Sequence, residues 1–244
     1  MTRALGCDVS HWDGKIDFAR MKAGGASFVF IKASEGLNID LKFLEYWRDA
    51  KAAGLLRGVY HYLNFHISIL DQAKRFCDII AANGGGELPA MIDFEMDPEG
   101  ATFPQYTQSM RQAFLWQVID YMQKNLNITP GIYSGYPYWT AWGNPGAGWA
   151  KYPLWMAAYT PESWVNLHMP KPWSNWEFWQ YSNKGIPASY GCSSAGVDIN
   201  LYNGTVEQLQ EKYGAAVAIS VVPTPVPVLT LEERVIRLEK IHNL

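Results

Sequence analysis

Asp93 and Glu95 are the residues whose type and spacing could do chemistry. They lie in the stretch Leu88-Pro89-Ala90-Met91-Ile92-Asp93-Phe94-Glu95-Met96-Asp97. In a strand, positions two apart face one side. The two carboxyls therefore point together, with β-carbons roughly 6.5–7 Å apart by the strand rise. Met91 shares their side, and Ile92 and Phe94 take the other. A strand that is apolar on both faces until its last residues belongs in a buried parallel sheet. Burying two carboxylates there is costly unless they are used. Two acids at this separation can act on a glycosidic bond. One gives a proton to the leaving oxygen while the other supports the reacting sugar. The plainer reading is a strand end whose acids pair with cations or cap the next helix.

The neighbouring elements must bring further groups to the same place. Residues 4–9 read as a short apolar strand ending in Asp8, followed by the loop Ser10-His11-Trp12-Asp13-Gly14 and a short helix over 16–22. Residues 27–33 form a second strand carrying Lys32, with Ser34-Glu35-Gly36 after it. Residues 41–53 read as a helix with Leu44, Trp47 and Lys51 on one side. A third strand spans 55–62 and carries Tyr60 and His61 near its end. A helix over 70–82 precedes the strand of the paired acids. The longest helix covers 105–126, with Met110, Phe114, Val118 and Met122 at four-residue spacing. The fifth strand, 129–134, carries Tyr133. After a Gly/Pro/Trp-rich loop over 135–152, the alternation stops. Segments 153–159 (Trp155, Tyr159), 176–181 (Gln180) and 196–202 (Asp198) read as three more strands joined by loops. Five strand–helix units followed by three strands predict an α/β protein with an irregular eight-stranded, TIM-like barrel. Active sites of such barrels sit at the strands' C-terminal ends. Polar or hydroxyl groups end every predicted strand, which makes the set a candidate site. Singly, each has a plainer reading: Lys32 paired with Glu35, His61 and Gln180 hydrogen-bonded in the core, Asp198 capping a turn.

The chain resembles the lysozymes of glycoside hydrolase family 25, the muramidases of bacteria and phage endolysins. The matching stretches are Gly6-Cys-Asp-Val-Ser-His-Trp12, Phe30-Ile-Lys-Ala-Ser-Glu-Gly36, Gly58-Val-Tyr-His-Tyr62, Leu88 to Glu95, Gly131-Ile-Tyr-Ser134, Leu154-Trp-Met-Ala-Ala-Tyr159, Trp179-Gln-Tyr-Ser182 and Val197-Asp-Ile-Asn200. The resemblance implies the same barrel of five β/α units and three strands. It also implies cleavage of the β-1,4 bond from N-acetylmuramic acid to N-acetylglucosamine in cell-wall peptidoglycan. By motif, Glu95 matches the general acid. Asp93 matches the nucleophile or the group that orients the substrate acetamide. Asp8 and Asp198 match the other two acids of the cleft. Lys32, Glu35, Tyr60, His61, Tyr133, Trp155, Tyr159 and Gln180 are the expected substrate-binding residues. Leu63-Asn64-Phe65 departs from the small residue, Arg and Pro found in many relatives, which bears on local loop contacts rather than on the chemistry. Glu95 must keep its proton near neutral pH, and a neighbouring Asp93 together with partial burial can raise its pKa. The spacing of the acids fits both the retaining and the inverting gap. A substrate N-acetyl group can supply its own nucleophile, which predicts retention. Two other readings are a non-catalytic peptidoglycan-binding module on the same barrel and a chitinase-like hydrolase. The acids argue against the first. Ala90, Met91 and Ile92, in place of the extra acids typical of chitinases, argue against the second.

Composition narrows the classes. The chain has 244 residues, 48% hydrophobic and 18% charged, with a net charge of −3. That suits one large domain, expected over 1–214. With no basic stripe and a pI near 6.0, nucleic acid is not an expected partner. There is no run of 18 apolar residues, so no membrane partner is expected. The opening residues run straight into a strand, so synthesis in the bacterial cytoplasm without a signal peptide is expected, with action on the wall after release. Cys7, Cys77 and Cys192 are odd in number and far apart, as buried thiols are. The five histidines show no metal-ligand spacing, and neither metal nor other cofactor is expected. Residues 215–229, with Pro223-Thr-Pro-Val-Pro227, read as a stiff linker. Residues 230–244 read as a short amphipathic helix that could pair with other copies to form a homo-oligomer. Leu231, Val235 and Leu238 form its seam, and Thr230 with Glu233 its capping box.

Overall fold

A computed structural model describes residues 2–95, 106–141 and 146–215. The tail read over 230–244 and all but the first residue of the linker read over 215–229 lie outside the described residues, as do 1, 96–105 and 142–145. The strands are β1 (Leu5–Val9), β2 (Ala26–Glu35), β3 (Asn38–Ile39), β4 (Leu56–Tyr62), β5 (Met91–Asp93), β6 (Gly131–Gly135), β7 (Leu154–Ala157), β8 (Phe178–Gly185) and β9 (Val197–Tyr202). Eight of them close a barrel in the order β1-β9-β8-β7-β6-β5-β4-β2, with β2 pairing back to β1. All neighbours are parallel except β9, which runs antiparallel to both β1 and β8. The short β3 folds back on the end of β2 through Gly36, whose φ of 54° is one that few other residues adopt.

The strands bury both faces, as their continuous apolar runs require. Their inward side chains form the barrel interior, including Phe28, Phe30, Tyr60, Met91, Tyr133, Trp155, Phe178 and Tyr202. Outward ones such as Val29, Ile31, Val59, Ile92, Phe94 and Ile132 pack under the helices. Met91 thus faces in while Ile92 and Phe94 face out, as period two predicts. The interior is a stack of rings. Phe30 lies on Trp155 with centroids 4.4 Å apart, and Tyr133 meets the same indole edge-on at 4.5 Å. Two glycines make room for them. A β-carbon on Gly6 would overlap the Phe28 ring, and one on Gly58 the Phe30 ring.

The helices are α1 (Phe18–Ala23), α2 (Phe43–Ala52), α3 (Ile69–Asn83), α4 (Gln108–Leu126), α5 (Tyr136–Ala141), α6 (Glu162–Leu167) and α7 (Val206–Tyr213). Side-chain caps start four of them: Asp17, Ser68, Thr107 and Thr205 each accept from a backbone N–H in the first turn. Several elements differ from the sequence reading. The α2 face in contact with the core is Phe43, Tyr46, Trp47 and Ala50, leaving Leu44 exposed. In α4 the buried stripe is Leu115, Val118, Ile119, Met122 and Leu126, so Met110 is exposed. Apolar residues outnumber the core-facing positions in both, and spacing alone selected a neighbouring stripe. The expected loops after β6 and β7 contain α5 and α6, each only 6 residues long and too short to show a period. Strand β5 is confined to Met91–Asp93, since Pro89 has no N–H for a ladder. No described helix is long and apolar enough to cross a membrane.

The ring stack generates a stability prediction. Gly58→Ala should lower unfolding free energy by about 1–3 kcal/mol, the usual cost of one extra carbon in a filled core. A lower urea midpoint at unchanged slope is the expected reading.

Candidate active site

At one barrel mouth the acids of three strands gather. Asp8 lies near the end of β1, and Asp93 ends β5 with Glu95 two residues beyond. Asp198 is the second residue of β9 and sits directly across the ladder from Asp8. It reaches this mouth because β9 is antiparallel, so the start of that strand lies where the parallel strands end. The sequence reading placed Asp198 at a strand end of the parallel kind. The structure brings the residue to this mouth on a strand that runs the other way.

Gln180 of β8 joins the parts. Its Oε1 accepts from the Tyr133 and Tyr159 hydroxyls, each at 2.9 Å. Its Nε2 donates to Asp8 Oδ2 at 2.9 Å and to Asp198 Oδ2 at 3.3 Å. Asn200 of β9 donates from Nδ2 to Asp8 Oδ2 at 2.7 Å and accepts from Trp155 Nε1 at 2.7 Å. Lys32 lies near the acids, paired with Glu35 at 2.5 Å and set 5.0 Å from the Tyr62 ring centroid. Asp93 Oδ1 is buried and has no hydrogen-bond partner among the described residues.

Dryness governs the protonation of this mouth. Burial raises Glu95 to about 7, the Asp8 charge adds to the rise, and Lys32 opposes it. The sequence reading assigned that neighbouring charge to Asp93. Asp8 adds to the rise, and the repulsion between Asp93 and Glu95 falls on Asp93. Burial holds Asp93 well above the carboxylate range, Glu95 adds to this, and Lys32 opposes it. Burial also raises Asp198, to about 9, with Asp8 second. Asp8 is raised by burial to about 6 and held back by the amide donors of Asn200 and Gln180.

The other expected residues divide by depth. Tyr159 is half exposed at the rim, and Glu35 is partly exposed. Tyr60, Tyr133 and Gln180 form the floor, and Trp155 lies beneath it, 1% exposed. His61 is not brought to the mouth. It points outward from β4 against Phe76 of α3, and its ring nitrogens meet Ser34 Oγ at 2.9 Å and Gln72 Oε1 at 3.3 Å. Burial lowers its pKa to about 4, so it is neutral at pH 7. Two residues went unassigned from sequence. Asn200 shares a strand face with Asp198 two positions away, which was the signal for it. Trp12, 77% exposed, stands on the turn leaving β1. That turn is pinned by Asp40, which accepts from the His11 backbone N–H and lies 2.6 Å from His11 Nδ1.

Among the described residues no group of three His, Cys, Asp or Glu is placed to hold a metal ion. Two hollows of about 440 and 310 Å³ lie elsewhere, one beside Lys151, Trp173 and Glu177, the other beside Leu88, Ile128 and Tyr213. Neither includes the clustered acids, so the electrostatics, not hollow size, mark the site.

A β/α barrel with paired carboxyls at this mouth, one held protonated near neutrality, defines a glycoside hydrolase. The chain belongs to glycosyl hydrolases family 25, whose model matches residues 7–189. Lysozyme M1 of Streptomyces globisporus is 34% identical over 214 residues, which are 84% of this chain and 69% of that protein. The bacterial lysozyme of Streptomyces coelicolor superposes with a TM-score of 0.75 at 31% identity, covering 88% of this chain and 100% of that one. The muramidase of Acremonium alcalophilum gives 0.74 at 30%, covering 87% and 100%.

Asp198 carries a stability prediction. Its folded pKa is raised, so the native state holds a proton that the unfolded chain has lost, and stability falls as pH rises from about 4 through about 9. Asn can donate where the protonated acid does and never ionises. Asp198→Asn should therefore have a higher urea midpoint than the parent at pH 9. The difference should vanish below the unfolded pKa, about 3.9.

Proposed function

We propose that this family 25 hydrolase cleaves the β-1,4 bond between N-acetylmuramic acid and N-acetylglucosamine in peptidoglycan, with Glu95 as the general acid. The observation that carries it is the pairing of Glu95, held protonated to about 7, with Asp93, whose buried Oδ1 lacks a partner among the described residues. An acetamide N–H of the substrate would satisfy that oxygen and hold the acetamide carbonyl towards the anomeric carbon. The carbonyl oxygen then bonds to that carbon as the glycosidic bond breaks. The leaving oxygen takes the Glu95 proton. Water opens the ring so formed and gives its proton back to Glu95, with retention. The rim, with Trp12 and Tyr159 exposed, offers aromatic faces to sugar rings. The proposal extends to a phage endolysin role, on the wall after release. Lysis by the chain produced inside a bacterium only once the inner membrane is breached would support that role, and lysis without a breach would oppose it.

Glu95→Gln should keep the fold and lower the clearing of purified walls by at least ~100-fold, the low end for one acid–base group. In the parent, kcat/KM should fall as pH rises through about 7, where Glu95 loses its proton. Borohydride labelling should find new reducing ends at muramic acid. Ends at glucosamine would mean a glucosaminidase, and cleavage of chitin in preference to walls would mean a chitinase.

A further inference from the structure

We propose that Gln180 and Asn200 are positioning residues that fix the negative charge of the Asp8–Asp198 pair on Asp8, within electrostatic reach of Glu95. The inference rests on the assignment of Glu95 as the acid and concerns how its proton is kept.

Two amides here have an orientation set by their partners. An indole N–H only donates. Trp155 Nε1, 2.7 Å from Asn200, therefore requires the Asn200 oxygen on its side. The Asn200 nitrogen is left to face Asp8 Oδ2 at 2.7 Å. Trp155 cannot swing away, since it is clamped between Phe30 and Tyr133. Gln180 is fixed from both ends. Its oxygen takes two tyrosine hydroxyls, and its nitrogen faces a carboxyl pair whose one negative charge would repel an oxygen.

The donors are unequally shared. Asp8 Oδ2 receives two short amide N–H bonds, from Asn200 and Gln180, at 2.7 and 2.9 Å. Asp198 receives one, longer at 3.3 Å, from the same Gln180 nitrogen. The two acids are direct partners across the β1–β9 ladder. Two carboxyls so close, Asp8 buried and Asp198 partly buried, do not both ionise. The one with two donors takes the charge and the other keeps the proton. The rises to about 6 for Asp8 and about 9 for Asp198 agree with this order.

Asp8 then acts on Glu95 through space. The other described groups around Glu95 do not replace it. Asp93 on the same strand is raised by burial and by Glu95, and Lys32 on β2 pulls the other way while paired with Glu35. Tyr133 on β6 and Tyr159 after β7 are raised and uncharged. Asp198 on β9 holds its proton. Asp13, after β1, is bonded within its own turn by Ser10 N and reached by Ser194 Oγ.

The test is the pH dependence of kcat/KM for wall clearing in Gln180→Met and Asn200→Leu, which keep bulk but donate nothing. With Asp8 no longer the anion, the alkaline limb should move down by about one pH unit, so that the rate at pH 8 falls about tenfold more than at pH 5. A merely structural role would lower the rates equally at every pH, and that result overturns the proposal. Should both variants fail to fold, carboxyl carbon NMR of the parent decides: Asp8 titrating below Asp198 supports the proposal, the reverse order overturns it. Glu95→Gln separates the two levels. A dead Glu95→Gln beside an unmoved limb removes the relay alone. An active Glu95→Gln removes the assignment of the acid, and the order of the two aspartates still decides where the charge sits.

Discussion

A dry barrel mouth can hold little net charge, and this one contains Asp8, Asp93, Glu95 and Asp198 with Lys32 as the cation acting on Asp93 and Glu95. Ionising all four acids there would set like charges against each other at low dielectric. The site settles the conflict by keeping protons. Asp198 holds one, burial raises Asp93 well above the carboxylate range, Asp8 is solvated by two amides, and Glu95 is left poised near neutrality. The same desolvation that weakens the fold at high pH gives the acid its working pKa.

The barrel exists to impose that arrangement. Its interior is filled by packed rings from Phe28 to Trp155 beneath the acids. The rings also serve as fixed donors. Trp155 is at once a core residue and the group that orients Asn200. Tyr133 packs against that indole and holds Gln180 from the other side. Closure by the antiparallel β9 is what sets Asp198 opposite Asp8, a pairing that an all-parallel barrel would not produce.

Much of this was legible from residue types and spacing. Period two placed Asp93, Glu95 and Met91 on one face and Ile92 on the other, and strand–helix alternation followed by three strands gave the architecture. What was not legible depends on contacts between distant segments. Nothing local in Val197-Asp-Ile-Asn200 tells which way the strand runs, so Asn200 went unassigned. His61 ends a strand as Asp93 does. A register shift in β2 between Lys32 and Ser34 accompanies the outward bond from Ser34 to His61. The buried stripes of α2 and α4 were misjudged because each helix carries more apolar residues than its core contact can cover.

The central claim is that the fold itself, before any substrate binds, keeps Glu95 protonated near neutral pH. Titration of its side-chain carboxyl carbon by NMR in the free enzyme measures this directly. The account predicts a midpoint near 7. A midpoint at the ordinary glutamate value, about 4.3, would contradict it.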